Sequence, residues 1–574
     1  MKHLVPGFVL IVLAVAVLQG PSVRYPLMLD DYSHRAGLRE GDFSLRSLVD
    51  ASHLGGHGQR VEMWWQRDAD LYFFRPVAFA LMRAVYVVGG WRPEVMHVFS
   101  LVLSVTCGTL VMVLARQVTG SARWATLAGL LFVMHPGPFL AVRWIACQNE
   151  QMATAFVLAG LLAYGRYSGW YRPDSGEGAA GGRPYLVAAL TLFVLALGCR
   201  ESSVIFGFMV LLGDLLCRPA RMRGRWAVYL TLALITAGYM VFRHVVLGET
   251  VLPGRPYAYP PGTPGFWRFI ADKLVYYMLA LFVYVPIVGF GGLHYLRAHP
   301  LLFYGSFSLL VVVGLAVVTL LRDRRRMIWF WVGVALLPLA PVLPVFASSH
   351  HLYMATAGMM IAAVLVWQGL LGWAARRRIL GAVVGGSVAV IVAVHVVAFA
   401  GANVAYGTAV ASFSASSRLP VEDVARLGDA LQPNDRLFFV NLPMLGFNCI
   451  PGIEEETGVA PLHGYVLTFA PAFLGMDRPS RIDRVGERQL RVRLDRGGYF
   501  EGLAGASMLE AVGQNDMFAE GRTFTAADFE VEVLRADSEG LQELLFTFER
   551  PLDDPAYHFF VGSRLFQAYP LRFR

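Results

Sequence analysis

Lysine is nearly missing from this chain: Lys2 and Lys273 are the only two in 574 residues, so almost all of its 49 basic side chains are arginines. These arginines fall in short clusters between apolar stretches, so the net charge of +8 reports how the chain crosses a membrane and does not point to a nucleic-acid partner. Cysteine is scarce as well. The five cysteines show neither metal-ligand spacing nor a framework pattern, which excludes a zinc site and a disulfide scaffold; only a single Cys147–Cys199 bond stays open. Internal repeats are lacking, and most charges sit at the ends of apolar stretches instead of at their middles, which argues against a transporter.

What is abundant is apolar surface. Hydrophobic residues make up 56% of the chain, and the mean hydropathy of +0.51 describes a multi-pass α-helical membrane protein. Apolar stretches predict eleven spans at about 4–20, 94–116, 124–139, 150–167, 185–199, 202–217, 226–246, 301–321, 327–346, 353–374 and 380–400. The first is read as an anchor, because Val17 to Pro21 lacks the small-x-small pattern of a cleaved signal peptide. Residues 21–93 form a first outer loop, with Val77 to Val88 as an interfacial helix. The apolar piece Phe269 to Phe290, with Pro286, Gly291 and Gly292 around it, reads as re-entrant or interfacial.

This organisation gives two units, a membrane domain over 1–405 and an outer α+β domain over 406–574. In the second, Val421 to Leu431 reads as an amphipathic helix, Arg436 to Val440 as a buried strand and Phe529 to Glu549 as a hairpin. Glu454-Glu455-Glu456 reads as a solvated turn.

The chemistry centres on Leu29-Asp30-Asp31-Tyr32, two adjacent carboxylates shortly after the first span. Neighbouring carboxylates repel, so in a partly dry site one stays ionised while the other is pushed toward protonation or takes a cation. Such a pair suits a general base working on an acceptor hydroxyl at the membrane edge. The alternative is an N-cap for the helix that Tyr32 begins. Other outer-end residues are expected to converge on the pair: Arg75, His135, Arg143, Glu150, Arg200, Glu201, His350 and Tyr353. Arginine, histidine and glutamate on one face suit an anionic phosphate and a sugar.

In this order, Asp30-Asp31, Arg75-Pro76, His135-Pro136, Arg143-Trp144-Ile145 through Glu150, Arg200-Glu201 and His350 to Tyr353, the chain resembles the GT-C superfamily of polytopic glycosyltransferases over residues 1 to about 400. The branch it resembles is the protein O-mannosyltransferase-like one that includes the tetratricopeptide-bearing mannosyltransferases, without the repeats. The resemblance implies that Asp30 is the base, that Glu150 is a second acid and that Arg200-Glu201 stands where the family has Lys-Glu. Gln148-Asn149-Glu150 and His350-His351-Leu352-Tyr353 depart from the family's Arg-x-Asp and Arg-preceded Tyr-x-Tyr. A polyprenyl-phosphate-linked sugar donor, an inverting transfer and a glycan, lipid or protein acceptor follow as expectations. Asp31 or Glu150 is expected to orient the acceptor or to hold a divalent metal, the one cofactor in view, and Arg75, Arg143 or Arg200 to balance the leaving phosphate. The rival expectation is a non-catalytic scaffold or transporter with an outer recognition domain.

With eleven spans, the Arg clusters at 116–123, 166–183, 218–225, 322–326 and 376–378 all fall on one side, which the positive-inside rule makes cytoplasmic. The N-terminus is then inside and the C-terminal domain outside. Reporter fusions after Arg326 and after Gly401 check this: the first is expected to report cytoplasm and the second the outer side, and a cytoplasmic signal at Gly401 removes the scheme.

Overall fold

A computed structural model of the protein describes all residues except 1, 55–60, 66–71, 172–181, 249–260, 263, 283–297, 346, 376–377, 428–429, 473–474, 500, 502–518, 538–539, 565–566 and 574. Part of the Phe269 to Phe290 stretch, Arg376, Arg377 and the hairpin tip at 538–539 therefore lie outside the described residues.

The chain opens with α1 (Val5–Leu18), followed in the first loop by α2 (Asp31–Glu40), α3 (Leu45–Asp50) and α4 (Pro76–Gly89). Next come α5 (Pro93–Thr119), α6 (Ala122–Met134), the short α7 (Phe139–Arg143), α8 (Gln148–Ser168), α9 (Arg183–Leu197), α10 (Phe206–Cys217) and α11 (Trp226–Leu247). After α12 (Phe266–Phe282), the helices α13 (Pro300–Leu320), α14 (Arg325–Leu336), α15 (Tyr353–Ala374) and α16 (Arg378–Ala425) complete the bundle. Proline starts and glycine stops explain several boundaries: α5 begins at Pro93, which needs no N–H there, and ends where Gly120 adopts φ +67° and donates to the Arg116 carbonyl.

Each of the eleven apolar stretches coincides with a helix. Among the described residues six are long and apolar enough to cross a membrane, and Val5–Leu18, Pro76–Gly89, Ala122–Met134 and Arg183–Leu197 are shorter apolar helices. The span carrying α15 has 67% of its window buried while that of α11 has 6%, so α15 lies at the centre and α11 at the rim. At the centre the packing is close enough to exclude side chains. A Cβ on Gly358 of α15 would lie 2.5 Å from the Ala335 nitrogen and 2.8 Å from the Trp331 carbonyl oxygen of α14, whereas one on Gly372 of the same helix meets nothing within 4 Å.

The C-terminal region holds β2 (Arg436–Val440), α17 (Ile450–Thr457), β3 (His463–Val466), β4 (Ser480–Arg484), β5 (Gln489–Leu494), β6 (Thr523–Thr525), β7 (Phe529–Asp537), β8 (Gly540–Phe548), β9 (Tyr557–Gly562) and β10 (Ala568–Pro570). The sheet β4-β5-β8-β7-β6 is antiparallel, and Gln489 to Leu494 alternates half-buried and buried residues as a one-sided strand should. The second sheet places β2 between two parallel neighbours, β3 and β9, and four of its five residues are buried. The hairpin and the buried strand lie where the sequence pattern puts them.

Two features depart from a simple two-unit division. The edge strand beside β3 is β1 (Glu62–Met63), supplied by the first outer loop, with Glu62 opposite Tyr465 and Met63 opposite Val466. Trp64 follows it and donates to the Leu467 carbonyl at 2.9 Å. Helix α16 also runs unbroken through residues 405 and 406, because alanine and valine continue past the fall in hydropathy, and it carries Gly401, Gly407 and Pro420 without ending before Ala425.

Gly358→Ala is expected to destabilise the extracted protein by about 1–3 kcal/mol through backbone overlap, while Gly372→Ala is neutral or slightly stabilising. Thermal unfolding of the two variants in one detergent checks this, and equal melting temperatures would contradict the packing.

Candidate active site at one end of the bundle

The acid pair stands at the entry to α2. Leu29 just before it has φ +49°, a left-handed conformation that costs a β-substituted residue energy and is held by its surroundings. Asp30 occupies the N-cap position but its side chain makes no capping bond; its Oδ1 accepts from Asn448 Nδ2 at 2.8 Å. Asp31 is 2% exposed. Its Oδ1 accepts from the Ala146 N–H at 2.7 Å and its Oδ2 from the Met28 N–H at 3.1 Å, so both oxygens are engaged by backbone. Burial pushes the Asp31 carboxyl up to about 8, against these two donors, which favour the ionised form.

A hydrogen-bond chain leads inward from Asp31. The Ala146 carbonyl accepts from Asn149 Nδ2 at 2.7 Å, Asn149 Oδ1 accepts from Arg200 Nη1 at 2.8 Å, and Arg200 is ion-paired with Glu150. Both side chains of that pair are almost fully buried, at 7% and 3% exposure. Cys147, in the turn before α8, feels the charges of Arg200, Glu150, Asp30 and Asp31, which puts the four in one neighbourhood. Cys147 and Cys199 are both free thiols.

Beside this group Arg75 forms a forked pair with Glu201, with Nη2 to Oε2 at 3.1 Å and Nε to Oε1 at 3.3 Å. The two meet because the Val77 N–H donates to the Gly198 carbonyl at 2.9 Å, joining the start of α4 to the corner after α9. His350 is within reach of the charges of Arg200, Arg75 and Lys273, and its Nδ1 bonds Ser348 Oγ at 2.7 Å.

Three expected members lie elsewhere. Arg143 reaches the Leu18 carbonyl at 3.1 Å and Asn403 Oδ1 at 3.0 Å, tying α7 to α1 and α16; among the described residues it makes no ion pair. His135 accepts from the Gly137 N–H at 3.1 Å and packs its ring on Phe399. Tyr353 turns into the bundle, edge-on to Phe132 with centroids 5.2 Å apart. Gln148, standing where the family carries arginine, donates to Ser100 Oγ and the Met96 carbonyl of α5 and so faces away from the acids. The three glutamates read as a solvated turn form part of α17 instead, because Glu455 pairs with Arg35 and Arg39 of α2.

The two residues expected to hold a divalent metal are already engaged. Both Asp31 oxygens accept backbone N–H groups, Glu150 is paired with Arg200, and among the described residues no three potential ligands gather. Sequence reasoning missed His34, Lys273 and Asn448. His34 is buried on α2, four residues from Asp30, and has no hydrogen-bond partner for either ring nitrogen; burial and the charge of Arg75 hold its imidazole down at about 3. A position one helical turn from the acid pair is the signal that pointed to it. Lys273 donates to the Val342 and Val345 carbonyls and Tyr277 OH bonds His351 Nδ1 at 2.8 Å, so α12 braces the segment bearing the two histidines.

No protein-family model matches the chain. Over 169 residues it is 25% identical to protein O-mannosyl-transferase Tmtc1 of Drosophila melanogaster, a match covering 29% of this chain and 16% of the fly protein. Among solved structures, ArnT from Cupriavidus metallidurans, bound to undecaprenyl phosphate, is similar over 79% of this chain and 89% of its own, at 15% identity and a TM-score of 0.45. The oligosaccharyltransferase AglB from Archaeoglobus fulgidus, in complex with an inhibitory peptide and a dolichol-phosphate, is similar over 81% of this chain and 64% of its own, at 14% identity and a TM-score of 0.43. The chain thus spans a small part of Tmtc1 and under two thirds of AglB.

Removing one partner of a buried ion pair typically costs about 3–5 kcal/mol, because the other charge stays behind. Glu150→Gln is therefore expected to lower the melting temperature of the extracted protein, and adding Arg200→Met is expected to restore part of the loss. If the double variant is as unstable as the sum of the single ones, the two side chains are not coupled.

Proposed function

We propose that the protein is an inverting membrane glycosyltransferase that moves a sugar from a polyprenyl-phosphate-linked donor to an acceptor hydroxyl on the outer face of the membrane. The observation carrying this reading is the chain from the acid pair through Ala146 and Asn149 to Arg200 and Glu150, which holds acid and base groups together at one end of the bundle. In this mechanism Asp30 takes the proton of the acceptor hydroxyl as its oxygen attacks the anomeric carbon, and the bond from that carbon to the phosphate oxygen breaks. The leaving polyprenyl phosphate gains a negative charge. Arg75 and Arg200 already hold carboxylates and contribute as members of those pairs. Asp31 holds the loop against α8, and Glu150 fixes Arg200.

Eleven crossings, a cytoplasmic N-terminus and an outer C-terminal domain belong to the same proposal. One set of observations favours the rival, non-catalytic reading: the arginines nearest the acids are ion-paired and both Asp31 oxygens are occupied.

The experiment begins with the glycan and glycolipid profile of cells lacking the protein, which identifies the missing product. The rate at which that product reappears after induction of a variant then measures transfer. Asp30→Asn keeps the size of the side chain and an oxygen for Asn448 but removes proton-accepting ability, so the rate is expected to fall by about a hundredfold or more at equal membrane levels. Full recovery by Asp30→Asn excludes Asp30 as base. Asp31→Asn is no silent control, because its amide would set an N–H group against the N–H of Met28 or Ala146.

A further inference from the structure

The first outer loop touches the C-terminal domain at several points around Asp30. Asn448, 2% exposed and just ahead of α17, donates from Nδ2 to Asp30 Oδ1 at 2.8 Å across a sequence separation of 418 residues. Next to it the Phe447 carbonyl accepts from the Val61 N–H at 2.8 Å, which leads into β1. The Leu29 N–H, one residue before Asp30, donates to Ser417 Oγ at 3.3 Å, and Ser417 in turn donates to the Leu445 carbonyl at 2.5 Å. On the other side Arg39 pairs with Glu455 at 2.6 Å, and Arg35 reaches the same carboxylate. Gly452 of α17 lies so close to α2 that a Cβ there would come within 2.7 Å of the Tyr32 ring. Residues 444–457 thus close around the start of α2, and one amide in that segment addresses the acid itself.

We propose that Asn448 is a positioning residue for Asp30, so that the outer domain completes the active site of the membrane domain. This rests on the reading of Asp30 as the base. By engaging one carboxylate oxygen, the amide fixes the rotation of the side chain. A charge-assisted hydrogen bond of this kind is one of the strong ones, and a carboxylate free to rotate reaches the hydroxyl in a productive orientation less often. The left-handed conformation at Leu29 fits the same picture, since a strained residue beside the acid persists only where contacts from both sides hold it.

The test uses the full-length protein in deletion cells and reads the rate at which the missing product returns. Asn448→Ala is expected to slow return by about tenfold at equal membrane levels, the size expected for a lost hydrogen bond to a charged group. Asn448→Ser, which keeps a shorter donor, is expected to recover part of that loss. The decisive arm combines Asn448→Ala with Asp30→Asn. If Asn448 acts through Asp30, the double variant is no slower than Asp30→Asn alone. If Asn448→Ala slows both backgrounds by the same factor, its role is general support of the domain and the proposal fails. It also fails if Asn448→Ala stays within twofold of the unaltered protein while Asp30→Asn loses activity, and in that case the base assignment survives. Unimpaired Asp30→Asn overturns the base assignment and, with it, this one.

Discussion

The buried pair of Glu150 and Arg200 is the constraint on which the acid-bearing end of the bundle depends. Neither charge is stable alone at that depth, so each requires the other, and the pairing sets where the head of α8 stands relative to the corner after α9. The rest follows from short polar links. Asn149, next to Glu150 in sequence, bonds Arg200 and the Ala146 carbonyl together, and the N–H of that same Ala146 peptide segment holds Asp31. A charge requirement inside the bundle thereby decides the place of a loop outside it.

Much of the bundle was legible because apolar stretches of membrane length leave little freedom: each predicted span coincides with a helix. In the C-terminal region the strand Arg436 to Val440 and the hairpin Phe529 to Glu549 were legible for a similar reason, while the strand Gln489 to Leu494 was not read from the sequence. The site was legible only in part. Asp30, Asp31, Glu150, Arg200, Arg75 and Glu201 were found as chemistry-bearing residues at span ends, a pattern that local sequence carries. Local sequence cannot say which way such a residue turns. Arg143 and Tyr353 sit at the expected ends, yet one is directed to Asn403 and the other into the bundle, because neighbours distant in the chain offer them partners.

The contacts least visible in the sequence are those between the first outer loop and the C-terminal region. Strand β1 is two residues long, too short to show a period, and it exists because β3 offers an open edge beside it. Asn448 is a single polar residue in a short turn between Phe447 and Cys449, with no pattern around it. Glu455 looks solvated in a row of three glutamates until two arginines of α2, set four residues apart on one face, are brought to it.

Helix α16 carries a mechanical consequence. Its 48 residues make it far longer than a membrane requires, since at 1.5 Å per residue it extends about 70 Å against a hydrocarbon thickness of about 30 Å. The C-terminal domain is therefore mounted on a stiff shaft instead of a tether, and helical phase sets the bearing at which the shaft delivers it. Adding one residue to the shaft would turn everything beyond it by about 100°, so deletions and insertions between the membrane and the outer domain are constrained in steps of whole helical turns. Loops elsewhere in the chain tolerate length changes one residue at a time; this connection behaves like a keyed axle.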